Sequence, residues 1–234
     1  MAFGGLPGAD SPAPSLRPYL DYLAGLSGTA RPRTAVLATA GGDDPAAVER
    51  YCARLSGTGH QVAHLALFPM PNVTDPEDFL LSQDIIFAGG GSVANLAAVW
   101  RVHGLDRIMR QAWEAGIVLT GVSAGAICWF GGGTTDSFGP DLRPFTAGLG
   151  FLAGSYCPHY DSEPRRRPLF SSLVASGALP PGIACDDTAG AHYADGSLAA
   201  VVSGRPGAHG YRVEADGEGG ARHERLPRQL LPLP

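Results

Sequence analysis

The sequence has few charged residues and no long apolar run, and both shortages narrow the classes of protein it can belong to. Asp, Glu, Lys and Arg make up 17% of the 234 residues, the net charge is −5, and no basic stripe is present. This argues against nucleic acid or a membrane surface as the main partner. No stretch of about 18 apolar residues occurs, so no transmembrane helix is expected.

The amino end lacks the basic region and apolar core of a signal peptide, and cysteines are few. The four cysteines, Cys52, Cys128, Cys157 and Cys185, show no Cys-x-x-Cys spacing. This pattern favours reduced, buried thiols over a disulfide framework. We therefore expect a cytoplasmic protein.

Apolar residues, by contrast, are abundant. They make up 44% of the chain, enough for a sizeable core, and the length fits one α/β domain over residues 1–234. Residues 1–14 are rich in Gly, Pro and Ala and are predicted to be a loose arm. We find no internal repeat and no linker.

Apolar runs alternate with helical patterns along the first half of the chain. Strands are predicted at residues 34–39, 61–67, 84–88 and 116–119. Helices are predicted at 16–26, 45–55, 92–102 and 105–115, with a short one from 75. Such alternation indicates a parallel sheet covered on both faces, with ligands bound beyond the carboxyl ends of its strands. The second half is predicted to hold a long loop with a short strand over 131–145, a helix over 165–175, further short strands and a polar tail after Glu214.

A Gly-x-Ser-x-Gly sequence follows the strand at 116–119. Gly121 and Gly125 flank Ser123, and small residues that can begin a helix come next. Strand, sharp turn and helix are the context of a nucleophile elbow, in which a Cβ on either flank would clash. The amide of Ala124, at the helix start, can point at a developing oxyanion.

A serine nucleophile needs a base, and the base needs an orienting acid. Of the seven histidines, His159 lies at a predicted strand end in a polar loop, and His192 is its main competitor. Two positions could supply the acid. Asp187 follows a short strand beside Asp186, and Asp136 lies in the loop after the elbow helix.

The triplet Gly89-Gly90-Gly91 ends the strand at 84–88 and offers free amides. It lacks the Lys-Ser/Thr of a phosphate-binding loop and the spacing of a dinucleotide fingerprint, so no nucleotide cofactor is predicted. Beside the elbow, it is a natural source of a second oxyanion donor.

Taken in order, four segments resemble the peptidase E family of serine peptidases, which includes aspartyl dipeptidases and has the cyanophycinases as relatives. They are Phe87–Ser92, Gly121–Ala126, Cys157–Tyr160 and Asp186–Asp187. The resemblance implies a class I glutamine amidotransferase-like fold, with serine in place of the usual elbow cysteine. That fold is a three-layer α/β/α sandwich with a mainly parallel central sheet of flavodoxin-like topology.

The resemblance also implies roles. Ser123 would be the nucleophile, His159 the general base, and Asp187 its partner, where many members carry Glu. The amides of Gly91 and Ala124 would form the oxyanion hole. No metal and no cofactor are implied. If Asp136 were the acid, the triad residues would follow one another along the chain as serine, acid and histidine, which is the order found in α/β-hydrolases.

The sequence departs from the aspartyl dipeptidases in the substrate-binding segments. Ser92-Val93 stands where Asn-Thr often follows the glycines, and the arginine run 165–167 offers no securely aligned single arginine. Gly90, Ser92, Arg166 and Arg167 are the candidate substrate-binding residues. One of the arginines would hold a substrate carboxylate in a bidentate grip.

These features predict a serine exopeptidase or dipeptidase that acts on short peptides with Asp at P1. Two alternatives stay open: a hydrolase of another amide or ester on the same scaffold, and a non-catalytic amidotransferase-like binding protein. The expected partner is a short peptide, and the sequence leaves a homodimer open.

Overall fold

The computed structural model describes residues 1–6 and 16–232, which form a mixed α/β fold. The helices are α1 Arg17–Ser27, α2 Pro45–Ser56, α3 Pro76–Leu81, α4 Val93–Val102, α5 Leu105–Glu114, α6 Ala124–Ile127 and α7 Arg166–Ala175. The strands are β1 Ala2–Phe3, β2 Arg33–Leu37, β3 Gln61–His64, β4 Ile85–Ala88, β5 Val118–Val122, β6 Phe130–Thr135, β7 Arg143–Phe145, β8 Leu152–Cys157, β9 Gly182–Cys185, β10 Ala189–Ala194, β11 Ser197–Ser203, β12 Gly210–Ala215, β13 Ala221–Arg225 and β14 Arg228–Leu230. Within the described residues, no helix is both long and apolar enough to cross a bilayer.

The predicted elements of the first half are confirmed, and their ends follow from capping. Gly28 ends α1 in the left-handed conformation, with φ 70°. Asp44 caps α2 by accepting a hydrogen bond from the amide of Ala47. Asp75 caps α3 in the same way.

The strands of the described residues form two sheets rather than one. An eight-stranded sheet has the order β14-β11-β10-β1-β5-β4-β2-β3, and a six-stranded sheet has the order β13-β12-β9-β8-β6-β7. The run β1-β5-β4-β2-β3 is parallel, whereas β10 pairs antiparallel with both β1 and β11. The expected mainly parallel central sheet therefore holds only for part of the larger sheet.

The second sheet includes segments that the sequence analysis assigned to a loop and a polar tail. Strand β6 contains Gly131, Gly132 and Gly133, and glycine is uncommon in strands. A Cβ at Gly132 would lie within 3.0 Å of the carbonyl oxygen of Phe145, and one at Gly133 within 3.0 Å of that of Tyr156. Glycine stands here because the neighbouring strands approach so closely.

The first residues of the chain are not a loose arm. Ala2 and Phe3 form β1, which lies between β5 and β10 inside the larger sheet. The amide of Ser123 donates to the carbonyl of Phe3 over 3.2 Å, so β1 directly supports the elbow. Residues 7–14, the rest of the predicted arm, lie outside the described residues. A strand of two residues has no periodicity, so the sequence pattern could not reveal it.

Both faces of the larger sheet are covered. Alternate residues of β2 and β4 belong to different apolar clusters, as expected for a strand with two faces. On one face, α1 and α2 pack on Phe87 and Val122 through residues that include Leu23 and Leu55. On the other face, α4, α5 and α6 share a core with Tyr156 of the second sheet. Gly90 and Ser123, which follow the carboxyl ends of β4 and β5, line one cavity.

Candidate active site

Ser123 follows β5 directly, and α6 begins at the next residue. Its backbone has φ 54° and ψ −116°, a strained conformation that non-glycine residues rarely adopt. A Cβ at Gly121 would lie within 3.0 Å of the carbonyl oxygen of Gly125, and one at Gly125 within 3.0 Å of that of Ala88. The turn is therefore as sharp as the sequence predicts, and it demands both glycines.

His159 lies just beyond β8, on the neighbouring sheet, and also has a positive φ of 51°. Its Nε2 is 2.9 Å from Ser123 Oγ. The competing base, His192, lies in β10 and contacts Tyr22 at 2.9 Å instead. The imidazole beside the elbow serine is thus that of His159.

The carboxylate that contacts His159 is Asp187, whose Oδ1 lies 2.7 Å from His159 Nδ1. Burial works against the charged form of this carboxylate, but hydrogen bonds from His159 and Ser162 outweigh it and hold the pKa of Asp187 below its usual value. Asp136 is exposed just after β6. Among the described residues, the partner of His159 Nδ1 is therefore Asp187.

Asp186 faces away from this array, as alternation along an extended segment requires. It is buried, and its Oδ2 accepts a hydrogen bond from the amide of His209 over 2.8 Å. Burial raises the pKa of Asp186 to about 6. Through this hydrogen bond, the Asp186 carboxylate connects the segment that carries Asp187 to the loop before β12.

A second group of polar residues holds the backbone of Asp187 in place. Asp161 Oδ1 accepts the amide hydrogen of Asp187 over 2.8 Å, and Asp161 Oδ2 pairs with Arg205 at 2.5 Å. Arg205 also donates to the carbonyl of Asp187 over 3.3 Å. Asp161 follows His159 by two residues, so it links the two loops that carry the imidazole and the carboxylate. Neither residue was predicted from the sequence.

The start of the chain also touches this array, which the sequence analysis missed. Gly5 forms an isolated parallel bridge with Asp187, and its carbonyl accepts from the amide of Thr188 over 2.8 Å. A Cβ at Gly5 would lie within 3.0 Å of Asp187 Oδ1 and 3.1 Å from His159 Nδ1. Only glycine lets the chain pass so close to both side chains.

The backbone amides of Gly91 and Ala124 have no hydrogen-bond partner among residues 1–6 and 16–232. Ala124 directly follows Ser123, and Gly91 directly follows Gly90, where an added Cβ would lie 3.4 Å from Ser123 Cβ. Gly91 has φ 137°, and a Cβ there would lie within 3.0 Å of the carbonyl oxygen of Ala40. The Gly90 amide differs, because it donates to Tyr51 Oη over 3.2 Å. Tyr51, on α2, is another residue that the sequence analysis did not identify.

A cavity of about 260 Å³ opens beside Ser123 between α1, α2 and the sheet. Ser123, His159, Asp187 and Gly90 lie at its wall. Tyr51 and Arg54 of α2 also line it, together with apolar residues of α1, β1, β4 and β5. Arg54 and Ser123 therefore line the same cavity.

The two predicted arginines have other partners. Arg166 is only 3% exposed, and its guanidinium donates to Glu163 Oε2 over 2.8 Å and to the carbonyl of Thr134 over 2.5 Å. The guanidinium of Arg167 lies over the ring of Tyr160, 4.5 Å from its centroid. Neither residue lines the cavity beside Ser123. Their placement differs from the substrate-binding role expected from the sequence.

Of the other predicted substrate-binding residues, Gly90 lines the cavity and Ser92 does not. Ser92 Oγ accepts a hydrogen bond from the amide of Asn95 over 3.2 Å and so caps α4. In the part of the chain that the structure describes, no group of His, Cys, Asp and Glu side chains is arranged to hold a metal ion.

An α/β fold with a serine at a strained strand-to-helix turn, hydrogen-bonded to histidine and then to aspartate, defines the serine-hydrolase class of sites. The model of peptidase family S51 matches residues 8–201. The chain belongs to this family and is a serine peptidase.

Similar proteins agree with this assignment. The chain is 41% identical over 213 residues to an uncharacterized peptidase, YgaJ, of Bacillus subtilis strain 168, covering 91% of this chain and 90% of that one. The fold resembles the crystal structure of a peptidase from an acI-B1 Actinobacterium, with a TM-score of 0.66, 16% identity and coverage of 97% and 95%. It also resembles a putative peptidase E protein from Listeria monocytogenes EGD-e, with a TM-score of 0.55, 16% identity and coverage of 92% and 96%.

Proposed function

We propose that this peptidase hydrolyses short peptides through a catalytic triad of Ser123, His159 and Asp187. The observation that carries the proposal is the continuous hydrogen-bonded array, with 2.9 Å from Ser123 Oγ to His159 Nε2 and 2.7 Å from His159 Nδ1 to Asp187 Oδ1. These distances lie in the range over which a base can take up a proton.

In this mechanism, Ser123 Oγ attacks the scissile carbonyl carbon while His159 Nε2 takes up the hydroxyl proton. The same nitrogen then donates that proton to the leaving amine, and an acyl-enzyme forms on Ser123. Water, activated by His159, hydrolyses the ester and restores the serine. Asp187 accepts the Nδ1 hydrogen and keeps Nε2 free to act as the base. Its lowered pKa supports this role, because the carboxylate stays charged.

The amides of Gly91 and Ala124 would stabilise the oxyanion of the tetrahedral intermediate. Both lack a hydrogen-bond partner among the described residues; Ala124 directly follows the serine, and Gly91 follows Gly90, which lies beside it. Removing one such donor typically lowers turnover by about 100- to 1000-fold. The close approach of Gly91 to Ala40 explains why the chain keeps glycine there.

A fluorophosphonate probe tests the proposed nucleophile directly. We expect it to modify Ser123, as identified by mass spectrometry of the digested protein, and to abolish hydrolysis of Asp-Leu. Residues modified elsewhere, with Ser123 intact and hydrolysis lost, would refute the assignment.

For the substrate, we propose dipeptides with Asp at P1, cleaved on a class I glutamine amidotransferase-like scaffold in the cytoplasm. The sequence resemblance supports this preference. The presence of Arg54 in the cavity beside Ser123 supports it further, since guanidinium groups bind carboxylates. Arg54 takes the role that the sequence analysis gave to Arg166 or Arg167.

Arg54→Met should lower kcat/KM for Asp-Leu by about 10- to 100-fold, because a charge-assisted hydrogen bond to the substrate is lost. Hydrolysis of Asn-Leu should change little, so the preference for Asp over Asn should shrink. The exposed Arg50, on the same helix, provides the control Arg50→Met. An unchanged Asp-to-Asn ratio in Arg54→Met would contradict the assignment.

Gly5→Ala should reduce kcat towards the roughly 10⁴-fold loss expected when the histidine is no longer oriented. The added methyl would overlap Asp187 Oδ1 and crowd His159 Nδ1. The matched control is Gly25→Ala on α1, where a Cβ meets nothing within 4 Å. Steady-state kinetics with Asp-Leu would measure the effect, and full activity of Gly5→Ala would show that the site tolerates a displaced carboxylate.

A further inference from the structure

Asp161 and Arg205 form an ion pair next to the triad, and no step of the proposed mechanism uses either of them. Arg205 Nη2 lies 2.5 Å from Asp161 Oδ2. The side chain of Asp161 is 31% exposed, and that of Arg205 is 41% exposed. Ion pairs that are exposed to this degree contribute little to the stability of a fold. Stability alone therefore does not account for the pair.

The two members of the pair hold the two backbone polar groups of Asp187. The amide of Asp187 donates to Asp161 Oδ1 over 2.8 Å. The carbonyl of Asp187 accepts from Arg205 Nη2 over 3.3 Å. Because Arg205 Nη2 also contacts Asp161, the ion pair closes a hydrogen-bonded ring around the backbone of Asp187. Breaking the pair therefore frees both backbone groups of the residue that carries the acid.

The loop that follows β8 contacts Asp187 through three side chains. His159 Nδ1 lies 2.7 Å from the carboxylate of Asp187, and Ser162 forms a hydrogen bond with the same carboxylate. Asp161, which lies between these two residues in the sequence, accepts the amide hydrogen of Asp187 instead. Asp161 thus connects the loop that carries the imidazole to the backbone that carries the carboxylate.

The backbone on both sides of this contact is strained. His159 has a φ of 51°, and Thr188, the residue after Asp187, has a φ of 70°. Residues other than glycine rarely adopt such values, and they persist only where surrounding contacts hold them. Arg205 contributes at Thr188 as well, since its Nε lies 3.4 Å from Thr188 Oγ1. The ion pair therefore supports the conformation of both loops.

We propose that Asp161 and Arg205 are positioning residues, whose ion pair holds the Asp187 carboxylate in place against His159 Nδ1. They act through Asp187, and neither of them lines the cavity beside Ser123. This inference rests on the proposed function, because it uses the role of Asp187 as the acid of the triad.

Asp161→Ala should lower kcat for Asp-Leu by about 100-fold, the loss that a displacement of about 1 Å can produce in a catalytic array. KM should change far less, because Asp161 does not line the cavity. The thermal unfolding midpoint should stay close to that of the unmodified enzyme, since the ion pair is exposed. Steady-state kinetics and thermal denaturation measure these values.

The matched control is Asp21→Ala, which breaks the exposed ion pair between Asp21 and Arg17, 2.7 Å apart on α1. It should leave kcat unchanged. An unchanged kcat in folded Asp161→Ala, or a loss that lies wholly in KM, would overturn the proposal.

A double-mutant cycle tests whether Asp161 acts through Asp187. In the Asp187→Asn background, Asp161→Ala should lower kcat by about twofold at most, because the carboxylate that it positions is already gone. Single-turnover assays measure this residual rate. Equal losses in the two backgrounds would show that Asp161 does not act through the acid, and would overturn the proposal.

Arg205→Met tests the other half of the pair. It should lower kcat by about the same factor as Asp161→Ala, and the double variant should be no slower than either single variant, because all three break the same ring. Losses that multiply in the double variant would show that the two residues act separately. If Asp161→Ala or Arg205→Met does not fold, Asp161→Asn keeps an oxygen for the Asp187 amide and loses only the ion pair. Its kcat should lie between those of the unmodified enzyme and Asp161→Ala, and full activity of folded Asp161→Asn would contradict a role for the ion pair.

The NMR resonance of the His159 Nδ1 proton reports the contact itself. The hydrogen bond to Asp187 moves this resonance downfield, so it should shift upfield or broaden in Asp161→Ala and stay in place in Asp21→Ala. A purely stabilising role of Asp161 would not move it. An unmoved resonance in Asp161→Ala would overturn the proposal.

Asp187→Asn separates a failure of this proposal from a failure of the triad. If Asp187→Asn keeps full activity, the triad assignment falls, and the role of the ion pair falls with it. If Asp187→Asn loses activity while Asp161→Ala and Arg205→Met keep it, the triad stands and the ion pair has no positioning role.

Discussion

Replacement of Ser123 by alanine should lower kcat for Asp-Leu by roughly 10⁶-fold, the loss seen when a serine-triad nucleophile is removed. Ser123 carries the hydroxyl that contacts the base, since its Oγ lies 2.9 Å from His159 Nε2. The residual rate would come from the oxyanion amides and substrate binding alone. Single-turnover and steady-state assays would measure it.

The variant should stay folded, because Ser123 is half-buried and its backbone amide, which the substitution keeps, donates a hydrogen bond to the carbonyl of Phe3. The exposed Ser176 provides a matched control, Ser176→Ala, which should retain full activity and equal thermal stability. Substantial hydrolysis by purified Ser123→Ala would remove the nucleophile from the mechanism.

Asp187→Asn should lower kcat by about 10⁴-fold, since an amide next to Nδ1 favours the wrong imidazole tautomer. The carboxylate accepts from Nδ1 over 2.7 Å, and an asparagine nitrogen at that place would donate instead. Nε2 would then carry the hydrogen and could not take up the serine proton. The shape of the site would be kept, so KM should change far less than kcat.

Asp136→Asn is the natural comparison, because Asp136 would be the acid if the triad residues followed the α/β-hydrolase order of serine, acid and histidine along the chain. It is exposed after β6, so its replacement should leave kcat within experimental error of the unmodified enzyme. A large loss in Asp136→Asn together with an active Asp187→Asn would reverse the assignment of the acid.

The elbow could be predicted from the sequence because its determinants are local. The sequence shows an apolar strand followed by a serine between two glycines that are four positions apart. This pattern specifies a sharp turn in which a larger residue at either glycine position would clash. The proximity of His159 and Asp187 required more than local pattern, since His159 follows β8 and Asp187 follows β9, two strands that are far apart in the sequence. The resemblance of the four segments, in their order along the chain, to the peptidase E family supplied the pairing of His159 with Asp187.

The substrate side of the site could not be predicted in the same way. On sequence alone, Tyr51 and Arg54 are ordinary residues of an amphipathic helix, and nothing local marks their contact with the cavity. The arginine run 165–167 is more conspicuous, yet Arg166 is buried against Glu163. Which charged residue reaches a cleft depends on packing between distant elements, and periodicity does not encode it.

The insertion of β1 between β5 and β10 bears on the order in which the protein assembles. Ala2 pairs with Gly121 on one side and Ala191 on the other, so its partners lie 119 and 189 residues further along the chain. Contacts between such distant segments require large loops to close first, which slows folding. During synthesis, β1 is made before both of its partner strands, so it cannot take its place in the sheet until β5 and β10 have followed. The peptidase acquires its complete cleft only after β10 has been made.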